Sequence, residues 1–87
     1  GTVTMAKRVI QRTQTGVRMA TSLLKVLKGL AEYTDLSLGD LLEGIVLHSF
    51  EGKAPFSTET QAVIEQLKSV DGCTLTAADS HQLEERG

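Results

Sequence analysis

The sequence predicts a small, mainly helical domain with one β-strand ahead of its helices. Apolar residues make up 40% of the 87-residue chain but aromatic residues only 3%, so the core must be built from Leu, Val, Ile and Ala. An aliphatic core of this kind favours helices over a sheet-rich fold. The length suits one domain, and domains this small often need a second subunit to complete a core.

Charge is divided unevenly between two parts of the chain. The formal net charge is −2, but residues 1–31 contain six basic residues and no acidic one. Residues 32–87 contain the other three basic residues and all 11 acidic ones. This asymmetry predicts a basic face for a polyanion, and an acidic remainder that confers solubility or binds a basic partner.

Residues 12–20 alternate as a strand does, after a segment at 1–11 that we interpret as a flexible basic arm. One parity holds Thr13, Thr15, Val17 and Met19, and the other holds Arg12, Gln14, Gly16 and Arg18. Alternation places the two sets on opposite faces of a strand. Because no second strand-like run lies nearby, we expect this strand to pair with the same strand of a second copy, as an antiparallel ribbon across a two-fold axis.

Two amphipathic helices are predicted after the strand. The first has Thr21 or Ser22 as its N-cap and ends at residues 33–35. The second begins at Ser37, which Asp40 follows three residues later in an approximate capping box, and closes at Gly52. Apolar residues recur at three- and four-residue steps in both helices, at Leu23, Val26, Leu27, Leu30, Ala31, Leu38, Leu41, Leu42, Ile45 and Val46.

Residues 53–87 are interpreted as a C-terminal helical extension of a domain at 12–52. A linker at 53–56 precedes a third helix over about 58–70, capped by Ser57 and ended by Gly72. Thr76 and Asp79 form a second capping-box pattern that predicts a short last helix to about residue 85. We expect the extension to pack on the core or on the other subunit.

The order of strand, helix, tight turn and capped helix over residues 12–50 resembles the ribbon-helix-helix superfamily of the Arc and MetJ repressors. The segment that carries the resemblance best is LKGLAEYTDLSLGDLLEGIVLHSF, residues 27–50. The resemblance implies a mainly α ribbon-helix-helix dimer, in which one strand from each subunit enters the major groove of double-stranded DNA as a β-ribbon.

The resemblance also implies roles for individual residues. The outward face of the strand would read bases through Arg12, Gln14, Gly16 and Arg18. Arginine can donate two hydrogen bonds to guanine, and glutamine can pair bidentately with adenine. Phosphates would contact the start of the second helix, where backbone N–H groups are free, and nearby basic residues. These phosphate-contacting positions are Lys7, Arg8, Lys25, Ser37, Leu38 and Gly39. The opposite strand face, Thr15, Val17 and Met19, would join the core.

The function predicted is a sequence-specific transcriptional regulator, a repressor, that acts as a cytoplasmic homodimer and can assemble further on DNA. Two alternatives stay open: an antitoxin whose C-terminal extension binds its toxin, and a dimeric protein-interaction module without DNA binding. The lone Cys73 suits a reducing compartment, and no apolar run is long enough to span a bilayer.

Enzyme activity, cofactors and metal sites are not expected. The sequence has no spacing typical of a catalytic triad, and no phosphate loop or dinucleotide fingerprint. His48, His81 and Cys73 are too few and too scattered for a zinc site.

Overall fold

The computed structural model describes residues 8–86, which form three α-helices and one turn of 3-10 helix. Helix α1 spans Thr21–Thr34, α2 spans Leu38–Phe50, and α3 spans Thr58–Asp71. The 3-10 turn follows at Ala77–Asp79. Helix α1 is central, because α2 and α3 both pack against it and α3 does so more extensively. None of these helices combines the length and apolar character that crossing a membrane requires.

Side-chain caps begin two of the three helices. Ser37 and Ser57 each accept a hydrogen bond from the backbone N–H three residues ahead, at 3.1 and 3.2 Å, which confirms both predicted N-caps. Helix α1 begins differently, since its N-cap is Ala20 and no side chain caps it. The prediction that Thr21 or Ser22 caps α1 is therefore wrong.

The turn between α1 and α2 is fixed by Asp35. Its backbone is left-handed, with φ 58° and ψ 39°, and its N–H donates to the carbonyls of Ala31 and Glu32. The N–H of Leu36 also donates to the Ala31 carbonyl, at 2.9 Å. This paired arrangement satisfies the last carbonyls of the helix, and aspartate tolerates the left-handed region better than most residues. The predicted end of the first helix is thus confirmed.

The core is aliphatic and lies between α1 and its two neighbours. Leu30 is the most deeply buried side chain, with 2% of its surface exposed, and it clusters with Ala31 and Leu41. The partly buried side chains that pack against this cluster are Leu27, Ile45, Phe56, Ile64 and Leu67. Because α3 supplies two of them, its packing completes the core that α1 and α2 begin.

Helix α3 approaches α1 closely at Gly29. A Cβ atom on Gly29 would lie 3.0 Å from Cδ2 of Leu67, closer than most real Cβ contacts. Glycine within a helix costs about 1 kcal/mol relative to alanine. At this position the missing side chain leaves room for Leu67, so the glycine has a packing role.

The predicted strand, and with it the ribbon-helix-helix fold, is not found. The described residues contain three helices and no strand. Residues 8–19 have no regular secondary structure, and no backbone hydrogen bond joins them to another described segment. A strand is stabilised by a hydrogen-bonded ladder, and this segment has no ladder. The side chains assigned to the core face are also misplaced, since Thr15 is exposed, Val17 is 72% exposed and Met19 is half-buried.

The end of the chain is less helical than its sequence predicts. Thr76 and Asp79 form the predicted capping box, with the Thr76 N–H donating to the Asp79 carboxylate at 2.9 Å. The box opens only a single 3-10 turn, and residues 80–86 are irregular. The predicted last helix to about residue 85 is therefore wrong. We refer to residues 80–86 as the C-terminal tail.

Candidate nucleic-acid interface

An exposed, acid-free stretch precedes the helices. We call residues 8–18 the basic segment, and every one of them is exposed to solvent. It contains all the predicted base-reading positions: Arg12, Gln14, Gly16 and Arg18. Nothing lies within 4 Å of where a Cβ atom of Gly16 would be. These side chains do not pack in the core, so their hydrogen-bond donors can contact a partner molecule. The exceptions are the donors that already form ion pairs with acidic residues.

Arg12 is held by two acidic residues of α2. Its Nε and Nη2 atoms donate to the two carboxylate oxygens of Glu43, at 3.1 and 2.9 Å. The Nη2 atom also lies 3.5 Å from Oδ1 of Asp40. The paired contact to Glu43 is the bidentate geometry that guanidinium and carboxylate groups favour. It places the basic segment alongside the N-terminal half of α2.

The Arg12–Glu43 contact shifts the titration of both groups. The hydrogen bond from Arg12 lowers the pKa of the Glu43 carboxyl below its ordinary value, and the same contact raises the pKa of the Arg12 guanidinium. A lowered carboxyl pKa in the folded chain favours the ionised form, so the contact persists at neutral pH. It weakens only as the pH falls through the lowered pKa of Glu43. Both side chains are solvated, so the contribution to stability is small.

Arg18 is held by the other end of the chain. Its Nη2 atom lies 2.6 Å from Oε2 of Glu85, in the C-terminal tail. Both side chains remain largely exposed, at 81% and 61%. The tail therefore passes close to the basic segment, and its carboxylate lies at one of the predicted base-reading groups.

Arg12 reaches the first turn of α2, because its guanidinium lies 3.5 Å from the carboxylate of Asp40 in that turn. Ser37 Oγ accepts the N–H of Asp40, whereas the N–H groups of Leu38 and Gly39 donate to no described backbone carbonyl. Free N–H groups and the helix dipole favour an anion here. The Asp40 carboxylate opposes that preference, and Arg12 offsets its charge. The structure thus brings the guanidinium of Arg12, a predicted base-reading residue, to Asp40 in the first turn of α2, the turn that holds the predicted phosphate contacts.

The remaining predicted positions are separate from this arrangement. Lys25 is exposed on α1 and forms no salt bridge with a described carboxylate. Arg8 is exposed at the start of the described chain, and Lys7 lies outside the described residues. The acidic partners of Arg12 and Arg18 were not predicted from the sequence. Asp40 and Glu43 are three residues apart on a predicted helix, so the sequence shows them as an acidic pair on one face. No sequence pattern near Arg18 indicates that Glu85 is its partner.

Comparisons of the chain with protein-family profiles, with curated proteins and with solved structures found no match. The functional assignment therefore depends on the charge and geometry of this chain's own residues. The relevant features are the exposed basic segment, the carboxylates that hold it, and the start of α2.

Proposed function

We propose that the chain is a sequence-specific DNA-binding transcriptional regulator, a repressor, that acts as a homodimer in the cytoplasm. The observation that supports this best is the basic segment, which is free of acidic residues and exposed along its whole length. A basic, solvated segment on an otherwise acidic chain attracts a polyanion and orients it toward one side of the molecule. The buried free thiol of Cys73 suits the reducing conditions of the cytoplasm.

The side chains of the basic segment have the chemistry for base readout. Arg12 and Arg18 can each donate a bidentate pair to guanine O6 and N7, and Gln14 can pair with N6 and N7 of adenine. Gly16, between them, lets the backbone approach the DNA closely. Arg8 and the free N–H groups at the start of α2 would contact phosphates, which fix the orientation of the protein.

DNA would have to replace the carboxylates that hold the two arginines. Both ion pairs are solvent-exposed, and exposed pairs are weak and further screened by salt. Arg12 and Arg18 could therefore exchange Glu43 and Glu85 for a nucleic acid at little cost. The same exchange would leave the Asp40 and Glu43 carboxylates without Arg12, and their repulsion of phosphate would offset part of the gain.

Dimerisation is supported by the outer face of α2, which we define as Val46, Leu47 and Phe50. These side chains are 44%, 60% and 82% exposed, although α2 is the most apolar of the three helices. The opposite side of α2 already packs on the core through Leu41 and Ile45. A helix that is apolar on two sides is expected to have two packing partners. A second copy presents the same face and would bury both across a two-fold axis.

Binding to labelled duplex tests the proposal. Duplexes would be selected from a random library with the wild-type protein, and affinity measured by fluorescence anisotropy against a scrambled duplex. We expect Arg18→Ala to weaken binding to the selected duplex by about 5- to 150-fold, the usual effect of losing one bidentate base contact. Binding to the scrambled duplex should change far less.

Lys53→Ala is the matched control for this experiment. Lys53 is an exposed cation that pairs with Glu51 at 3.2 Å, beyond the C-terminal end of α2. The Lys53→Ala substitution removes one positive charge and one exposed ion pair, as Arg18→Ala does. Because Lys53 lies outside the basic segment, we expect little change in affinity. Equal losses in the two variants would contradict readout by the basic segment. If the wild-type protein binds no duplex, the proposal is wrong and a dimeric protein-interaction module becomes the better explanation.

A further inference from the structure

The C-terminal tail reaches the basic segment through Glu85, whose carboxylate lies 2.6 Å from the Arg18 guanidinium. The tail starts from a fixed base, since Gln82 donates its backbone N–H to the Asp79 carbonyl at 3.0 Å and the capping box holds Asp79 to Thr76. Beyond that base the tail is irregular and exposed. Residues 83–86 can therefore move away from Arg18 without disturbing the helices.

We propose that the C-terminal tail is an autoinhibitory segment, in which the Glu85 carboxylate occupies Arg18 in place of DNA. This inference rests on the proposed function and names how that same site is regulated. A carboxylate resembles a phosphate in charge and in its ability to accept hydrogen bonds from a guanidinium. DNA contact by Arg18 requires Glu85 to withdraw, because a carboxylate kept there would repel the phosphates.

The expected strength of this inhibition follows from the exposure of the pair. A solvent-exposed ion pair contributes at most about 1 kcal/mol of free energy. A contribution of that size changes an equilibrium constant by about two- to fivefold. Inhibition of that size raises the protein concentration needed for binding without abolishing it. Salt screens the pair, so the inhibition is expected to be largest at low ionic strength.

The test compares the wild-type protein with Glu85→Gln and Glu84→Gln on the selected duplex and on a random one, at about 0.1 M salt. Glu84 is the neighbouring residue, and it forms no salt bridge with a described residue. Both substitutions remove one negative charge from the tail. We expect Glu85→Gln to lower the Kd by about two- to fivefold, and Glu84→Gln to lower it by clearly less.

A double-mutant cycle separates this contact from a general charge effect. In an Arg18→Ala background, Glu85→Gln should lower the Kd by no more than Glu84→Gln does, because its partner is gone and only the general charge effect remains. Equal gains from Glu84→Gln and Glu85→Gln in the wild-type background, or an undiminished gain from Glu85→Gln without Arg18, would overturn the inference. Tight duplex binding that is unaffected by Glu85→Gln would overturn it while leaving the proposed function in place. No duplex binding by any variant would remove the proposed function and the inference together.

Discussion

Replacing Leu30 by alanine is expected to lower the free energy of unfolding by about 2–5 kcal/mol, the range found for buried leucines. Leu30 is 2% exposed and lies at the centre of the cluster where α1 meets its neighbours. Small domains have a total stability of about 5–15 kcal/mol, so this one substitution removes a large fraction of it. Urea unfolding followed by circular dichroism measures the loss.

Leu23→Ala is the matched control, since it makes the same substitution on the same helix. Leu23 is 40% exposed, so truncation removes less buried surface and should cost clearly less than the Leu30 change. The variants should be compared at one protein concentration, because the stability of a dimer depends on it. Similar losses for both variants would contradict a core centred on Leu30.

Replacing Phe50 by glutamate is expected to convert the proposed homodimer to a monomer. Phe50 is 82% exposed, so the change costs the isolated chain little, whereas at an interface it would place a charge against an apolar surface. Loss of an aromatic anchor at an interface costs about 2 kcal/mol, which is about 30-fold in the dimer dissociation constant. In a two-fold dimer the substitution would lie on both sides of the interface. Sedimentation equilibrium at micromolar concentration measures the mass relative to the 9.4 kDa chain.

Val70→Glu on α3 controls for general effects of a surface charge. Val70 is also 82% exposed but lies on another helix, away from the outer face of α2. We expect this variant to stay dimeric. A monomeric wild-type protein would contradict the dimer outright. Dissociation by Val70→Glu but not by Phe50→Glu would move the interface to α3.

The helices could be predicted because their signals are local. The serine caps at Ser37 and Ser57 act on the N–H groups three residues ahead, and the left-handed stops at Asp35 and Gly72 act on the preceding turn. Apolar residues at three- and four-residue steps supplied the rest. Each of these features depends on residues within a few positions, so the sequence alone was sufficient.

The absence of a strand could not be predicted in the same way, because strand formation depends on a neighbouring segment. Alternation over residues 12–20 shows only which side chains would share a face. Whether the backbone forms a ladder depends on a second segment placed beside it, and residues 8–86 provide none. The prediction of the fold class failed at this step, although the first three predicted helices are present and only the predicted last helix is not.

The candidate site was predictable in part. The absence of acidic residues before Glu32 predicted a basic face, and the structure exposes residues 8–18 on all sides, including the face expected to join the core. The partners of its arginines depend on tertiary placement, which no local pattern records. Glu43 could have been proposed as a partner from the acidic pair on α2. Glu85 contacts Arg18 because the fold brings the C-terminal tail next to the basic segment, which is far away in sequence.

The measurement that tests DNA binding by the basic segment most directly is an amide chemical-shift titration with the selected duplex. We expect the largest shifts within residues 8–18 and at Leu38 and Gly39, where the free N–H groups of α2 lie. The exposed side of α3, represented by Glu59, Glu65 and Val70, should change little. Shifts confined to α3, or no shifts at saturating duplex, would contradict the assignment of this surface to DNA.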